Sequence, residues 1–138
     1  MQATFTLDPR LERTTRPVRE RDGIALRLAD DSRWPWVMLV PCAPGIREVT
    51  DLRDDRLTAL VLQARDVACT LRRMEPGCRT NVATLGNVVE QFHLHVVARR
   101  EGDPNWPGPI WGFGEPVPYE NPQAWIDRFL EHERGAPS

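Results

Sequence analysis

Two hydrophobic periods divide this chain into its elements. Residues 24–29, IALRLA, alternate, with Ile24, Leu26 and Leu28 on one side, which predicts a strand. Asp30-Asp31-Ser32 then make a turn, and Trp34-Pro35-Trp36-Val37-Met38-Leu39-Val40-Pro41 is an almost unbroken apolar run, as expected of a central strand covered on both faces. The two strands predict a hairpin. Residues 1–22 are charged, with Leu7, Leu11 and Val18 as scattered anchors, and only a short helix near residues 9–13 is expected there.

Beyond the hairpin the period becomes helical. After a loop over residues 44–49, a helix beginning at Thr50 or Asp51 carries Leu57, Leu60, Val61, Ala64, Val67, Ala68 and Leu71 at spacings of three and four. Asp54 and Asp55 sit in its first turn, where the positive end of the helix dipole favours carboxylates, and Glu75-Pro76-Gly77 stops it after Met74. Residues 81–85 and 89–99 predict two more strands, joined by a turn at Gly86-Asn87. Residues 101–118 then lose all periodicity: five prolines and four glycines are interleaved with Trp106, Trp111 and Phe113. An ordered loop is expected, whose rings either cover a core edge or dimer seam or line a ligand pocket. Asn121-Pro122 is an N-cap and first-position pair, and Trp125, Ile126, Phe129 and Leu130 give the helix that follows one apolar face to about Glu133.

Hairpin, helix, hairpin, helix is the pattern of an α+β sheet covered by helices. A chain of 138 residues, 41% apolar, is one domain's worth, expected over residues 1–138. The net charge of −2 argues against a nucleic-acid polymer as partner. With no charged-then-apolar leader and no apolar run long enough to span a membrane, a cytoplasmic protein is expected. The three cysteines, Cys42, Cys69 and Cys78, stand at no metal-ligand spacing and are expected to be reduced. All 18 basic residues are arginine, which excludes Schiff-base chemistry and any lysine-dependent phosphate loop. Serine occurs only at Ser32 and Ser138, neither in a nucleophile-like setting, which argues against a serine hydrolase.

The chemistry concentrates in NVATLGNVVEQFHLHVVA, residues 81–98. From Gln91 onward, alternation places Gln91, His93 and His95 on one face of a strand and Phe92, Leu94 and Val96 on the other. Just before them, Gly86-Asn87-Val88 supplies backbone N–H groups that can hold an anion beside an imidazole. Taken alone, two such histidines also fit a solvated sheet face, or a metal site completed by His132 or an acidic residue.

On these residues the chain resembles the histidine-triad (HIT) family. Gln91-Phe92-His93-Leu94-His95-Val96-Val97 is similar to the motif His-φ-His-φ-His-φ-φ, with φ apolar and Gln91 in place of the first histidine. Asn81, the Gly86-Asn87 turn, Arg99 and the strand–helix order extend the resemblance over residues 24–111, ahead of the loop and helix of residues 101–134. It implies an antiparallel sheet covered by one long helix and continued across a homodimer. It implies that His93 attacks the α-phosphorus of a nucleotide, giving a nucleotidyl-imidazole, while its Nδ1–H donates to the Gln91 carbonyl. His95 then donates to a phosphate or bridging oxygen, Gly86, Asn87 and the Val88 N–H cradle phosphate, and Asn81 bonds phosphate or ribose. No metal or cofactor is required by this scheme.

Three positions depart from the family pattern: Gln91, Trp36 where a further histidine stands, and Val88 in place of a hydroxyl residue. The first two look paired, as a substituted support layer behind the nucleophile; the related galactose-1-phosphate uridylyltransferases also carry a Gln, at the motif's third position. The expected function is a nucleotide hydrolase or nucleotidyl transferase acting on a nucleoside phosphoramidate or dinucleoside polyphosphate. The alternative is a nucleotide-binding or interaction protein that kept the fold without turnover.

Overall fold

The computed structural model describes residues 4–135; Ser138 lies outside the described residues. The hairpin is formed by β2 (Ile24–Ala29) and β3 (Trp36–Pro41), antiparallel with Leu26 opposite Leu39. β3 begins later than the apolar run, because Trp34 leaves the ladder for the core, where its indole N–H donates to the Pro104 carbonyl at 3.0 Å. The turn between the strands does more than reverse the chain. Asp31 is buried and paired with Arg33 at 2.8 Å, and Asp30 and Asp31 accept the backbone N–H groups of Tyr119 (2.9 Å) and Val117 (3.3 Å), so the turn anchors the C-terminal segment.

A strand with no hydrophobic signature precedes the hairpin. β1 (Thr15–Arg21, TRPVRER) pairs with β2 at the edge of the sheet, where one side is solvated and charge is tolerated. The register shifts between Pro17 and Arg19, an irregularity that an edge strand accepts and a central one does not. Ahead of it α1 (Pro9–Thr14) is capped by Asp8, whose carboxylate accepts the Arg10 N–H at 2.8 Å, with Pro9 in the first turn.

α2 (Asp54–Met74) buries Leu60, Ala64, Val67 and Leu71 of the expected stripe and part-buries Leu57 and Ala68, while Val61 faces outward, 55% exposed. It starts later than expected, because Val49–Asp51 forms a separate 3-10 turn in which the Asp51 carboxylate accepts the Arg47 and Glu48 N–H groups at 3.1 Å. Gly77, at φ 85°, turns the chain out of the helix in a conformation that glycine adopts readily. β4 (Arg79–Ala83) and β5 (Leu94–Arg99) complete a five-stranded antiparallel sheet of order β1-β2-β3-β5-β4. α3 (Pro122–Arg134) follows its Asn121 cap as expected. No helix among the described residues is long and apolar enough to cross a membrane.

The sheet has two differently covered faces. One, with Leu26, Leu28, Val37, Leu39 and Val96, packs into the main core with the α2 stripe and with Ile126 and Phe129 of α3. The other is covered only at its ends. Phe5, Leu7 and Leu11 lie over Ala29, Met38 and Val40, while Trp34, Ile110 and Trp111 gather around Val97. Between those two covers lie the histidines.

Candidate active site

His95 sits opposite Met38 of β3 and Ala83 of β4, and side chains directly across a ladder share a face, so its imidazole projects away from α2. His93 was expected on the same strand; instead residues 84–93 leave the ladder, and the Phe92 N–H donates to the Ile46 carbonyl at 2.9 Å. The two rings meet nonetheless, with centroids 4.9 Å apart at an interplanar angle of 77°. His93 Nδ1 lies 2.7 Å from the Gln91 carbonyl oxygen. A carbonyl only accepts, so Nδ1 carries the proton and the neutral ring keeps its lone pair on Nε2. The Thr84 hydroxyl donates to the His93 carbonyl at 2.9 Å and fixes the backbone from the other side.

His95 has the opposite tautomer. The Trp36 indole N–H donates to His95 Nδ1 at 2.9 Å, and an indole nitrogen cannot accept, so the proton of a neutral His95 is on Nε2. Burial pulls the His95 imidazolium down to about 3, and the adjacent His93 adds to the effect. Trp111 closes this side, edge-on to His95 at 5.3 Å. Among the described residues, Trp111 Nε1 is the one sealed side-chain nitrogen or oxygen without a hydrogen-bond partner. Neither His93 Nε2 nor His95 Nε2 has a hydrogen-bond partner among the described residues, and the two residues are 5% and 4% exposed. The pair thus offers a bare ring nitrogen beside an N–H donor.

The Gln91 side chain faces elsewhere. Its Oε1 accepts the Asp8 N–H at 2.9 Å and its Nε2 donates to the Thr6 carbonyl at 2.8 Å, clamping the N-terminal segment. Arg10 adds a second tie, donating to the Val88 carbonyl at 2.9 Å. Gln91 and Trp36, which look paired in sequence, therefore act on different partners. Asn81 is opposite Val97 on the same sheet face as His95, half-buried, and its side chain bonds no described residue.

Gly86, Asn87 and Val88 are exposed, and their N–H groups donate to no acceptor among the described residues. Thr84, Leu85, Gly86 and Asn87 wall a hollow of about 690 Å³ whose far side is Arg47–Asp51; neither imidazole lines it. The structure thus gathers His93, His95 and the Gln91 carbonyl, sets Asn81 on their face, and leaves the expected cradle as an open rim. The backbone does not call for glycine at Gly86. Its φ lies outside the left-handed region, and an added Cβ would meet the Val89 and Arg47 carbonyls at 3.6 and 3.8 Å, ordinary contacts.

The Trp-rich loop is held from within the same chain. Arg99, 1% exposed, forks onto both oxygens of Asp103 at 2.8 Å and donates to the Gly108 carbonyl at 2.8 Å, with Trp34 and Trp106 5.9 and 5.6 Å from its guanidinium carbon. Trp106 is therefore a packing partner of Arg99, and Trp111 is the ring that borders the histidines. His132 stays on α3 with Nδ1 2.8 Å from the Arg128 carbonyl, and no group of three or more His, Cys, Asp or Glu suited to a metal occurs among the described residues. The bonds of Trp36 to His95 and of Thr6 and Asp8 to Gln91 carry no sequence signal, since each joins positions far apart in the chain.

The family model for the HIT domain matches residues 10–102. A crystal structure of a histidine triad protein from Sinorhizobium meliloti 1021 superposes with TM-score 0.90 at 44% identity, covering 94% of this chain and 97% of that one. One from Marinobacter aquaeolei VT8 gives TM-score 0.91 at 36% identity, covering 96% and 98%. A third, from Bradyrhizobium japonicum, gives 0.89 at 30% identity, covering 94% and 98%. Among curated proteins none matches this chain.

Proposed function

The chain belongs to the histidine-triad family, and from that premise we propose that it is a nucleotide hydrolase or nucleotidyl transferase working through a nucleotidyl-His93 intermediate. The substrate class is a nucleoside phosphoramidate or a dinucleoside polyphosphate, attacked at the α-phosphorus. One observation carries this reading: His93 Nδ1–H is tied to the Gln91 carbonyl at 2.7 Å, so the lone pair is on Nε2, which bonds no described residue. The first histidine of the motif is dispensable for that bond, because any residue at position 91 supplies the carbonyl.

Each residue has a role in this reading. His93 Nε2 attacks phosphorus; His95 Nε2–H bonds an oxygen on which charge develops. The free N–H groups of Gly86, Asn87 and Val88 suit phosphate oxygens, the last through its backbone alone. Asn81, on the same sheet face, suits phosphate or ribose. Water then attacks the adduct and returns His93 to its starting form. We further propose a homodimer in which the sheet continues past the exposed edge of β4, where Val82 is 51% exposed. The reducing cytoplasm suits the free cysteines.

The test is the adduct. Protein incubated with nucleotide labelled at the α-phosphate and denatured without acid should carry label on the wild type and none on His93→Ala. Binding of nucleotide by both proteins, with label on neither, would leave a nucleotide-binding protein without turnover.

A further inference from the structure

The indole of Trp36 has no counterpart among the groups that a phosphoryl-transfer scheme calls for, yet among the described residues it makes the one hydrogen bond His95 has to another side chain. We propose that Trp36 is a positioning residue that holds His95 as a neutral, Nε2-protonated donor, and that the site therefore serves leaving groups that depart as phosphate anions in preference to amines. The proposal rests on the reading that His93 forms the covalent adduct.

The case is geometric. Protonating His95 fully would place a second N–H at Nδ1, pointed at the indole N–H 2.9 Å away. That exchanges a buried hydrogen bond for two opposed donors, with little room to relax. Trp111 packs edge-on at 5.3 Å on one side and the His93 ring stands 4.9 Å off on another. Across the sheet, His95 faces Met38 and Ala83, and no carboxylate is paired with it to favour a cation. Of the groups around it only His93 is titratable, and a positive His93 adduct opposes a second positive ring. A neutral imidazole donates a hydrogen bond but is far too weak an acid to give up its Nε2 proton.

The consequence falls on the leaving group. When His93 Nε2 bonds the α-phosphorus and a P–O bond breaks, the electron pair leaves with the bridging oxygen of a phosphate, which is stable as an anion and needs only the His95 hydrogen bond. Water next attacks phosphorus, the N–P electron pair returns to His93, and the proton from water goes to solvent. When a P–N bond breaks instead, the departing nitrogen needs a proton, and His95 has none to spare. A site with a cationic His95 would serve both substrates; this one is built for the first.

Two measurements decide it. In 15N-histidine spectra, His95 of the wild type should show an unprotonated Nδ1 and a protonated Nε2 throughout pH 5–8, and Trp36→Phe should lose that fixed tautomer and begin to titrate in the same range. Kinetically, kcat/KM for a dinucleoside polyphosphate should exceed that for the matching phosphoramidate by about 100-fold, the usual weight of a general acid, and the ratio should narrow at least tenfold in Trp36→Phe. A protonated Nδ1 on His95 in the wild type, or a preference for the phosphoramidate, overturns the proposal. Absence of turnover and of adduct, with the expected spectra, removes the leaving-group preference along with the nucleotidyl-His93 reading and leaves the role of Trp36 standing.

Discussion

Arg99→Met should be among the most destabilising single changes in this protein, and the structure sets the size. The guanidinium is 1% exposed and Asp103 7%, so the pair is screened by almost no water. Its loss leaves the Asp103 carboxylate with the Arg100 N–H at 3.2 Å as its remaining donor, and strips the Gly108 carbonyl of its 2.8 Å partner; Pro104 keeps the Trp34 indole at 3.0 Å. Removing one member of a buried ion pair costs about 3–5 kcal/mol, because the other is left charged and unpaired. For a chain of this size that corresponds to a fall in Tm of about 10–15 °C. The discriminating variant is the double substitution Arg99→Met with Asp103→Leu, which removes the stranded charge and should regain at least about 1.5 kcal/mol over Arg99→Met alone, a coupling expected of contacting groups. Urea denaturation of wild type, both singles and the double gives the cycle. A cost below about 1 kcal/mol for Arg99→Met, or strict additivity, would show that the loop is held by its own packing and that the ion pair is incidental.

Three further outcomes are expected. Gly86→Ala should leave Tm within about 1 °C, since the added methyl meets only ordinary contacts, while weakening AMP binding about tenfold by filling the cradle; calorimetry of both quantities checks it. Gln91→Ala removes the two bonds to Asp8 and Thr6 and should cost about 1–3 kcal/mol, with faster hydrogen exchange over residues 4–8 and an unchanged His93 tautomer, since the carbonyl at position 91 remains. His95 titrates at about 3 in the folded protein against an ordinary 6.5, so the unfolded chain takes up the proton first and stability falls as pH drops from 6.5 toward 3. The slope from this group is about 1.4 kcal/mol per pH unit, and His95→Gln should be shallower by that amount in urea titrations between pH 4 and 6.

What could be read from the sequence follows the strength of each hydrophobic period. β2, α2 and α3 announce themselves because each sets an apolar face on the main core, with Leu26 and Leu28, Leu60 and Leu71, and Ile126 and Phe129 buried. β1 does not, since an edge strand of alternating charge and proline meets the core only through Thr15 and Val18. The stretch from Val89 to His93 read as strand because Gln91, Phe92 and His93 happen to alternate; in the fold Phe92 is buried by a loop contact with Ile46 and the ladder begins at Leu94. Asp31 looked like a turn residue and is a buried anchor, because its partners Arg33 and Val117 include one 86 positions away. The histidine pair and the carbonyl that orients His93 were legible, being local. The indole that orients His95, 59 positions distant, was not.

That difference bears on what the two departures at Trp36 and Gln91 do. A substitution for the first histidine of the motif can be silent for the nucleophile, since the His93 bond runs to a backbone atom that every residue provides. The side chain at 91 is then released for another task, and here it grips Thr6 and Asp8, so the N-terminal segment covers the sheet face beside the site. Trp36 differs, because its N–H dictates a proton position on His95 itself. Exchanging Gln91 for histidine should therefore leave the chemistry of both rings as it is and loosen the N-terminal segment. Exchanging Trp36 for a residue without a donor should leave the N-terminal clamp intact and free His95 to carry charge. A protein in which the Gln91 change alone altered the His95 tautomer would require a link between the two positions that their hydrogen bonds do not contain.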